Sequence, residues 1–231
     1  MGLLLQITQA VDSLTSSSDI IPEGEELSLL ELAAKGGPIM IPIALCSVLA
    51  IYIIVERYVA IKKSSKTDAN FMNNIRDFIH TGNMDAAKAL CKNTDNPIAR
   101  MIEKGINRIG KPLSDIEKAI ENTGNIEVVK MEKGLSLLAT VAGAAPMLGF
   151  LGTVTGMIKA FYNMSKAGNT IEIGVLSGGM YEAMTTTVAG LIVGIIALVS
   201  YNLLAAMVER VVFHMESSSI EFMDLLQEPA K

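Results

Sequence analysis

The sequence predicts an all-α membrane protein with three transmembrane helices, two of them long and extended into a cytoplasmic helical bundle. Three observations predict it. Half of the residues are hydrophobic and the mean hydropathy is +0.41, higher than an ordinary soluble domain carries. The excess is concentrated in three runs without a charged side chain, Gly36–Val55, Gly134–Ile158 and Ala183–Val208, each long enough for the roughly 20 residues that span a bilayer. Between Ser114 and Pro146 there is no proline, so a helix begun outside the membrane can run into it.

Lysine and arginine set the expected orientation. Most of the 19 lie between Glu56 and Lys133, and Arg210 and Lys231 follow the third run. Lys35, Lys159 and Lys166 fall on the other side. By the positive-inside bias, the N-terminus and the 163–180 connection are outside, and the 59–133 segment and the tail are cytoplasmic.

Taken in order, residues 1–24 predict a poorly ordered outer tail, acidic and carrying Ser16-Ser17-Ser18. The apolar stretch Met1–Ile7 is short and no basic residue precedes it, so it does not read as a signal peptide. In 25–36, Leu27, Leu29, Leu30, Leu32 and Ala33 alternate with glutamates, which predicts an interfacial amphipathic helix. Gly36-Gly37-Pro38 then turns the chain into the first span, 37–58.

The 59–133 segment reads as helices. Phe71, Ile75, Phe78 and Ile79 share one face of a helix ending near Gly82, and Met84, Ala87, Leu90 and Cys91 mark another. Asn96-Pro97 predicts a capped helix with proline in its first turn, running to about Ile109. Ser114-Asp115-Ile116-Glu117 has the capping-box pattern. If Gly124 and Gly134 leave it intact, the helix it opens reaches Phe161, on the order of 70 Å away. The second span is 134–162, the third 181–208. The 209–231 tail continues the helix through Val211, Val212, Met215 and Ile220.

Several function classes are disfavoured. A net charge of −5 argues against a nucleic-acid partner. Cys46 and Cys91 fall in different environments, which disfavours a disulfide. His80 and His214 are single and far apart, and there is no P-loop, no G-x-S-x-G and no Cys/His cluster. Neither an enzyme, nor a metal, nor a cofactor is expected.

The informative feature is where small and hydroxyl residues are placed. Ala142, Pro146, Gly149, Thr153, Gly156 and Ala160 recur at spacings of three and four, which is one helical face. Gly152 adds a further small residue. In the third span Thr187, Gly190, Gly194 and Ala197 do the same. Small residues let membrane helices approach closely, and hydroxyls at that depth need a partner. Thr153 fits either simple packing, with its hydroxyl on its own backbone, or a pore-facing role. Thr185 and Thr186 read as tolerated hydroxyls. Glu182 is either an ion-pathway carboxylate or an interfacial residue favoured at a helix N-terminus. No Asp or Glu lies inside the three runs, so a proton route would need a carboxylate from a partner helix.

Gly149-Phe150-Leu151-Gly152-Thr153-Val154-Thr155-Gly156-Met157-Ile158-Lys159-Ala160-Phe161, preceded by Ala145-Pro146, resembles the second-span signature of ExbB, TolQ and MotA proteins. Glu182-Ala183-Met184-Thr185-Thr186-Thr187-Val188-Ala189-Gly190-Leu191, followed by Tyr201-Asn202, resembles their third-span signature. Lys35-Gly36-Gly37-Pro38-Ile39-Met40-Ile41-Pro42-Ile43, with Glu56-Arg57, is similar to the first span of ExbB-like members and favours that branch. The resemblance implies an ion-driven motor subunit in a bacterial inner membrane, with a periplasmic N-terminus. It implies a homopentamer enclosing two copies of an ExbD-like single-span protein, whose aspartate carries protons, with output to a TonB-like protein. It implies ion-pathway roles for Thr153, Thr187 and Glu182. A TolQ-like or other stator ring of the same family, or a non-conducting membrane scaffold, stands as the alternative.

Overall fold

The computed structural model describes residues 36–65, 70–166 and 173–228. The outer tail and the interfacial helix expected over 25–36 fall almost wholly outside the described residues. Seven helices and no strands occur among those described: α1 (Met40–Ser64), α2 (Phe71–His80), α3 (Met84–Asn93), α4 (Pro97–Ile106), α5 (Leu113–Glu132), α6 (Leu135–Lys166) and α7 (Ile173–Gln227). Three stretches are long and apolar enough to cross a membrane: α1, the α5–α6 pair and α7.

The short helices form because their apolar positions keep helical spacing, and side chains cap the starts of α3 and α4. Asn83 and Asn96 accept hydrogen bonds from the backbone N–H of Ala86 (3.2 Å) and Ala99 (2.6 Å), which satisfies donors that a helix N-terminus leaves open. Pro97 sits in the first turn of α4, where its missing N–H costs nothing. Helix α4 is the centre of this bundle and buries Ile98, Ala99, Met101, Ile102 and Ile106. Gly105 has no side chain because the Phe222 ring and Ile120 fill that space.

Three features differ from expectation. Ser114 does not cap α5. The helix starts two residues earlier, Pro112 is the N-cap and no side-chain cap bond forms, because the Gly110-Lys111-Pro112 turn already sets the entry direction. The helix does not run unbroken to Phe161: it passes through Gly124 but stops at Glu132, Gly134 takes φ +85° and α6 begins at Leu135. Left-handed backbone is cheap only for glycine. The connection expected over 163–180 is shorter than that, since α6 reaches Lys166 and α7 is already helical at Ile173. With 55 residues, α7 is about 80 Å long.

Side-chain size changes along α7. Opposite α6 it buries Ala183, Gly190, Gly194 and Ala197. Farther on it buries Leu204, Val208, Val211, Met215 and Phe222. The small stretch lets two helices touch backbone to backbone. The large one fills the wider space beside α4 and α5.

Where α1 meets the bundle, charged groups interlock. Glu127 is buried and accepts hydrogen bonds from Arg100 (2.6 Å) and Lys130 (2.7 Å). Asp95 pairs with Arg100 (2.8 Å) and with Lys63 (2.7 Å) of α1. Arg57, paired with Glu56, donates to the Lys130 carbonyl (3.1 Å). Burial by itself would raise the Glu127 carboxyl pKa, but the hydrogen bonds and charges of Arg100 and Lys130 outweigh it and hold the group below the usual glutamate range. A depressed folded pKa stabilises above the unfolded value of about 4.3, and that stabilisation is lost as pH falls through the folded value. Glu127→Gln is therefore expected to cost about 1–3 kcal/mol at pH 7. The gap to wild type should close in acid, read by thermal unfolding of the detergent-purified chain between pH 7 and pH 3.

Candidate ion-pathway site

The site is the antiparallel seam of α6 and α7. Its closeness comes from glycine. At Gly149, a Cβ would lie 3.0 Å from the Thr186 carbonyl and 3.1 Å from the Thr187 Cα. At Gly190 it would lie 2.5 Å from the Ala145 carbonyl and 2.9 Å from the Gly149 Cα. A Cβ at Gly156 would lie 3.0 Å from the Ala183 Cβ, and Gly152 receives the Thr186 side chain. Pro146 leaves a gap in the hydrogen-bond ladder of α6. Its ring lies against Gly194, whose missing side chain makes the room.

The buried face of α6 is turned slightly from the one expected. Ala145, Gly149, Gly152, Gly156 and Ala160 are buried, while Ala142, Pro146 and Thr153 lie at its margin, half-buried. In α7, Gly190, Gly194 and Ala197 are buried as the spacing suggests, and Thr187 is half-buried beside them.

The hydroxyls then divide by partner. Thr187 reaches across the seam and donates to the Gly149 carbonyl at 3.1 Å, with the Ala183 carbonyl of its own helix at 3.5 Å. Thr153 donates to the Phe150 carbonyl of its own helix at 2.6 Å. Both threonines therefore act on adjacent carbonyls, Gly149 and Phe150. Thr186, 1% exposed, donates to the Ala183 carbonyl at 2.8 Å. Sequence reasoning undervalued it. The available signal was Gly152, three residues after Gly149 and four before Gly156, a hole for a facing side chain.

Glu182 lies toward the end of the seam remote from the short-helix bundle. Lys159 of α6 donates to its Oε2 at 3.2 Å, and its Oε1 lies where a side chain on Gly37 would begin. Gly37 has φ +68° and gives the carboxylate its space. The pair lines a cleft of about 380 Å³, together with Gly36, Pro38, Thr155 and Thr186. The sequence placed Lys159 and Glu182 at matching ends of two spans without pairing them. Glu182 is thus apart from Thr187 by more than one helical turn: Glu182 and Thr186 line the cleft, and Thr187 bonds the Gly149 carbonyl outside it.

Membrane-length apolar helices joined by a glycine seam with a hydroxyl bridge across it define an all-helical membrane-protein subunit. The chain belongs to the MotA/TolQ/ExbB proton channel family, whose profile matches residues 93–217. It is similar to putative biopolymer transport protein ExbB-like 3 of Synechocystis sp., 27% identical over 176 residues that cover 76% of this chain and 84% of the relative. ExbB-like 1 of the same organism is 30% identical over 184 residues, 78% of this chain and 71% of the relative. Biopolymer transport protein ExbB of Neisseria meningitidis is 25% identical over 188 residues, 74% of this chain and 84% of the relative. The chain is accordingly a membrane subunit of the ion-driven motor kind.

Proposed function

We propose that this chain is the ExbB-like ring subunit of a proton-driven motor in a bacterial inner membrane, with its N-terminus periplasmic. Five copies surround two copies of an ExbD-like single-span protein, and the motor hands its output to a TonB-like protein that serves outer-membrane transport. The observation that carries this reading is the seam itself. It presents Thr153 and Thr187 at one level of a helix pair whose apolar runs contain no Asp or Glu. The titrating group then has to come from another chain.

In that arrangement the Thr187 hydroxyl has a defined task. Its proton is held by the Gly149 carbonyl, and its oxygen keeps acceptor capacity. A neutral, protonated carboxyl from the partner can donate to it, and an ionised one cannot. The hydroxyl therefore discriminates between the two states of the carrier. Apolar faces support the association: Met147, Phe150, Ile158, Met184, Val188 and Ile195 are exposed on the single chain, ready for neighbouring copies or lipid.

Native mass spectrometry of the detergent-purified chain, alone and co-expressed with an ExbD-like protein, tests this. A homopentamer that gains two partner copies is expected. A monomer or dimer that never takes a partner would overturn the ring.

A further inference from the structure

Lys159 and Glu182 are the only charged residues lining the cleft among the described residues. The α1 side contributes Gly36, Pro38 and Ile39, without charge. Apart from Lys159, the cleft offers oxygens: the Glu182 carboxylate and the hydroxyls of Thr155 and Thr186. Thr155 already donates to the Leu151 carbonyl (2.9 Å) and the Gly152 carbonyl (3.2 Å), and Thr186 to the Ala183 carbonyl (2.8 Å). Each hydroxyl proton is thereby committed to a helix backbone, and what remains on each oxygen is acceptor capacity. One carboxylate with two hydroxyl acceptors is a set of hard oxygen ligands, the kind that replaces the hydration shell of a small cation.

The carboxylate of that set already has a cation beside it. Lys159 Nζ stands 3.2 Å from Glu182 Oε2, tethered to α6 one turn beyond Thr155, and it carries the same charge as the ion it replaces. An entering sodium ion would have to displace this ammonium or share the carboxylate with it, and like charges at this range repel. A proton passing along water and hydroxyls needs no vacated site.

We propose that Lys159 is a specificity-determining residue that acts as a built-in counter-cation for Glu182 and excludes sodium from this cleft. The proposal rests on the ion-conducting reading above and adds the choice of ion. Gly37 assists by leaving room for the carboxylate beside the start of α1.

The test uses sodium chloride as the probe and choline chloride as the ionic-strength control, on the full chain co-expressed with its single-span partner. Binding is read by sodium-23 NMR line broadening of the detergent-purified complex, which needs no ion flux. Wild type and Lys159→Arg are expected to show no sodium-specific effect. Lys159→Met should bind sodium at least about tenfold more tightly than wild type, and adding Glu182→Gln should abolish that gain. Lys159→Gln serves if the methionine variant does not fold. Equal sodium binding by wild type, or none by either uncharged variant, overturns the proposal. In proteoliposomes, sodium should slow proton uptake by the uncharged variants only. Proton uptake absent from every variant would remove the conducting reading, while the binding measurement would still decide the role of Lys159.

Discussion

Gly190→Ala is expected to force α6 and α7 apart and to abolish ion flux. The new methyl would stand 2.5 Å from the Ala145 carbonyl oxygen, 2.9 Å from the Gly149 Cα and 3.1 Å from the Gly149 nitrogen. All three are backbone atoms of α6 and none can rotate aside. Alanine in place of a helical glycine gains up to about 1 kcal/mol of helix propensity. Overpacking a tight contact typically costs about 1–3 kcal/mol, and more where only backbone can yield. The cost wins, and the displacement also stretches the Thr187–Gly149 hydrogen bond. A fall in melting temperature of roughly 5 °C is expected by circular dichroism. Gly143→Ala is the control: nothing lies within 4 Å of its Cβ position within the chain, so it should match wild type or exceed it slightly. A Gly190→Ala protein as stable as wild type would show that the seam is looser than described.

Thr187→Val should leave assembly intact and lower proton flux at least tenfold, an estimate of order ~1.4 kcal/mol or more on the limiting step. Valine keeps the branched shape and removes the hydroxyl that donates across the seam to the Gly149 carbonyl. The stability cost is about 0.5–1.5 kcal/mol for the lost hydrogen bond, too small to dissolve a helix pair held by glycine contacts along its length. Native mass spectrometry and proton uptake into proteoliposomes, run on the same preparation, separate the two effects. Full flux in this variant would remove Thr187 from the pathway. Loss of assembly would make it a packing residue. Thr153→Val is a useful companion, because the Thr153 hydroxyl bonds only its own helix (Phe150 carbonyl, 2.6 Å). A smaller effect there would follow from that difference in partner.

Much of the architecture could be read without coordinates, for local reasons. Charge-free length marks membrane-crossing helices because a charge at bilayer depth is costly. Asn96-Pro97 marks the start of α4 because cap and first-turn preferences depend on neighbouring residues only. The capping-box reading at Ser114 failed because the preceding turn, closed by Gly110 and Pro112, had already set the helix start. Of Gly124 and Gly134, both helix breakers by type, only Gly134 breaks. Gly124 packs against Met101 within the bundle, and a long flexible side chain fills the space it leaves.

The candidate site was legible in its residue types and less so in its pairing. Spacing identified the small faces, yet the buried face of α6 passes through Ala145 and Gly152, with Pro146 and Thr153 at its edge. A helical pattern gives periodicity, and rotation about the axis is settled only by what the neighbouring helix presents. Thr186 is the clearest case: of three consecutive threonines two are buried, and packing against Gly152 makes Thr186, at 1% exposure, the one set into the seam.

The sequence by itself determined the class of protein, three apolar crossings joined to a helical bundle, and the small and hydroxyl residues on which the seam depends. These follow from composition and periodicity, which act within one segment. Only the tertiary structure decided that Thr187 bonds Gly149 across the seam, that Glu127 is buried between two cations, and that Lys159 faces Glu182 beside Gly37. The Lys159–Glu182, Arg100–Glu127 and Thr187–Gly149 contacts join residues 23, 27 and 38 positions apart, and the second of them ties α4 to α5. Their geometry depends on how far each helix is rotated and slid against the next, which no single segment encodes.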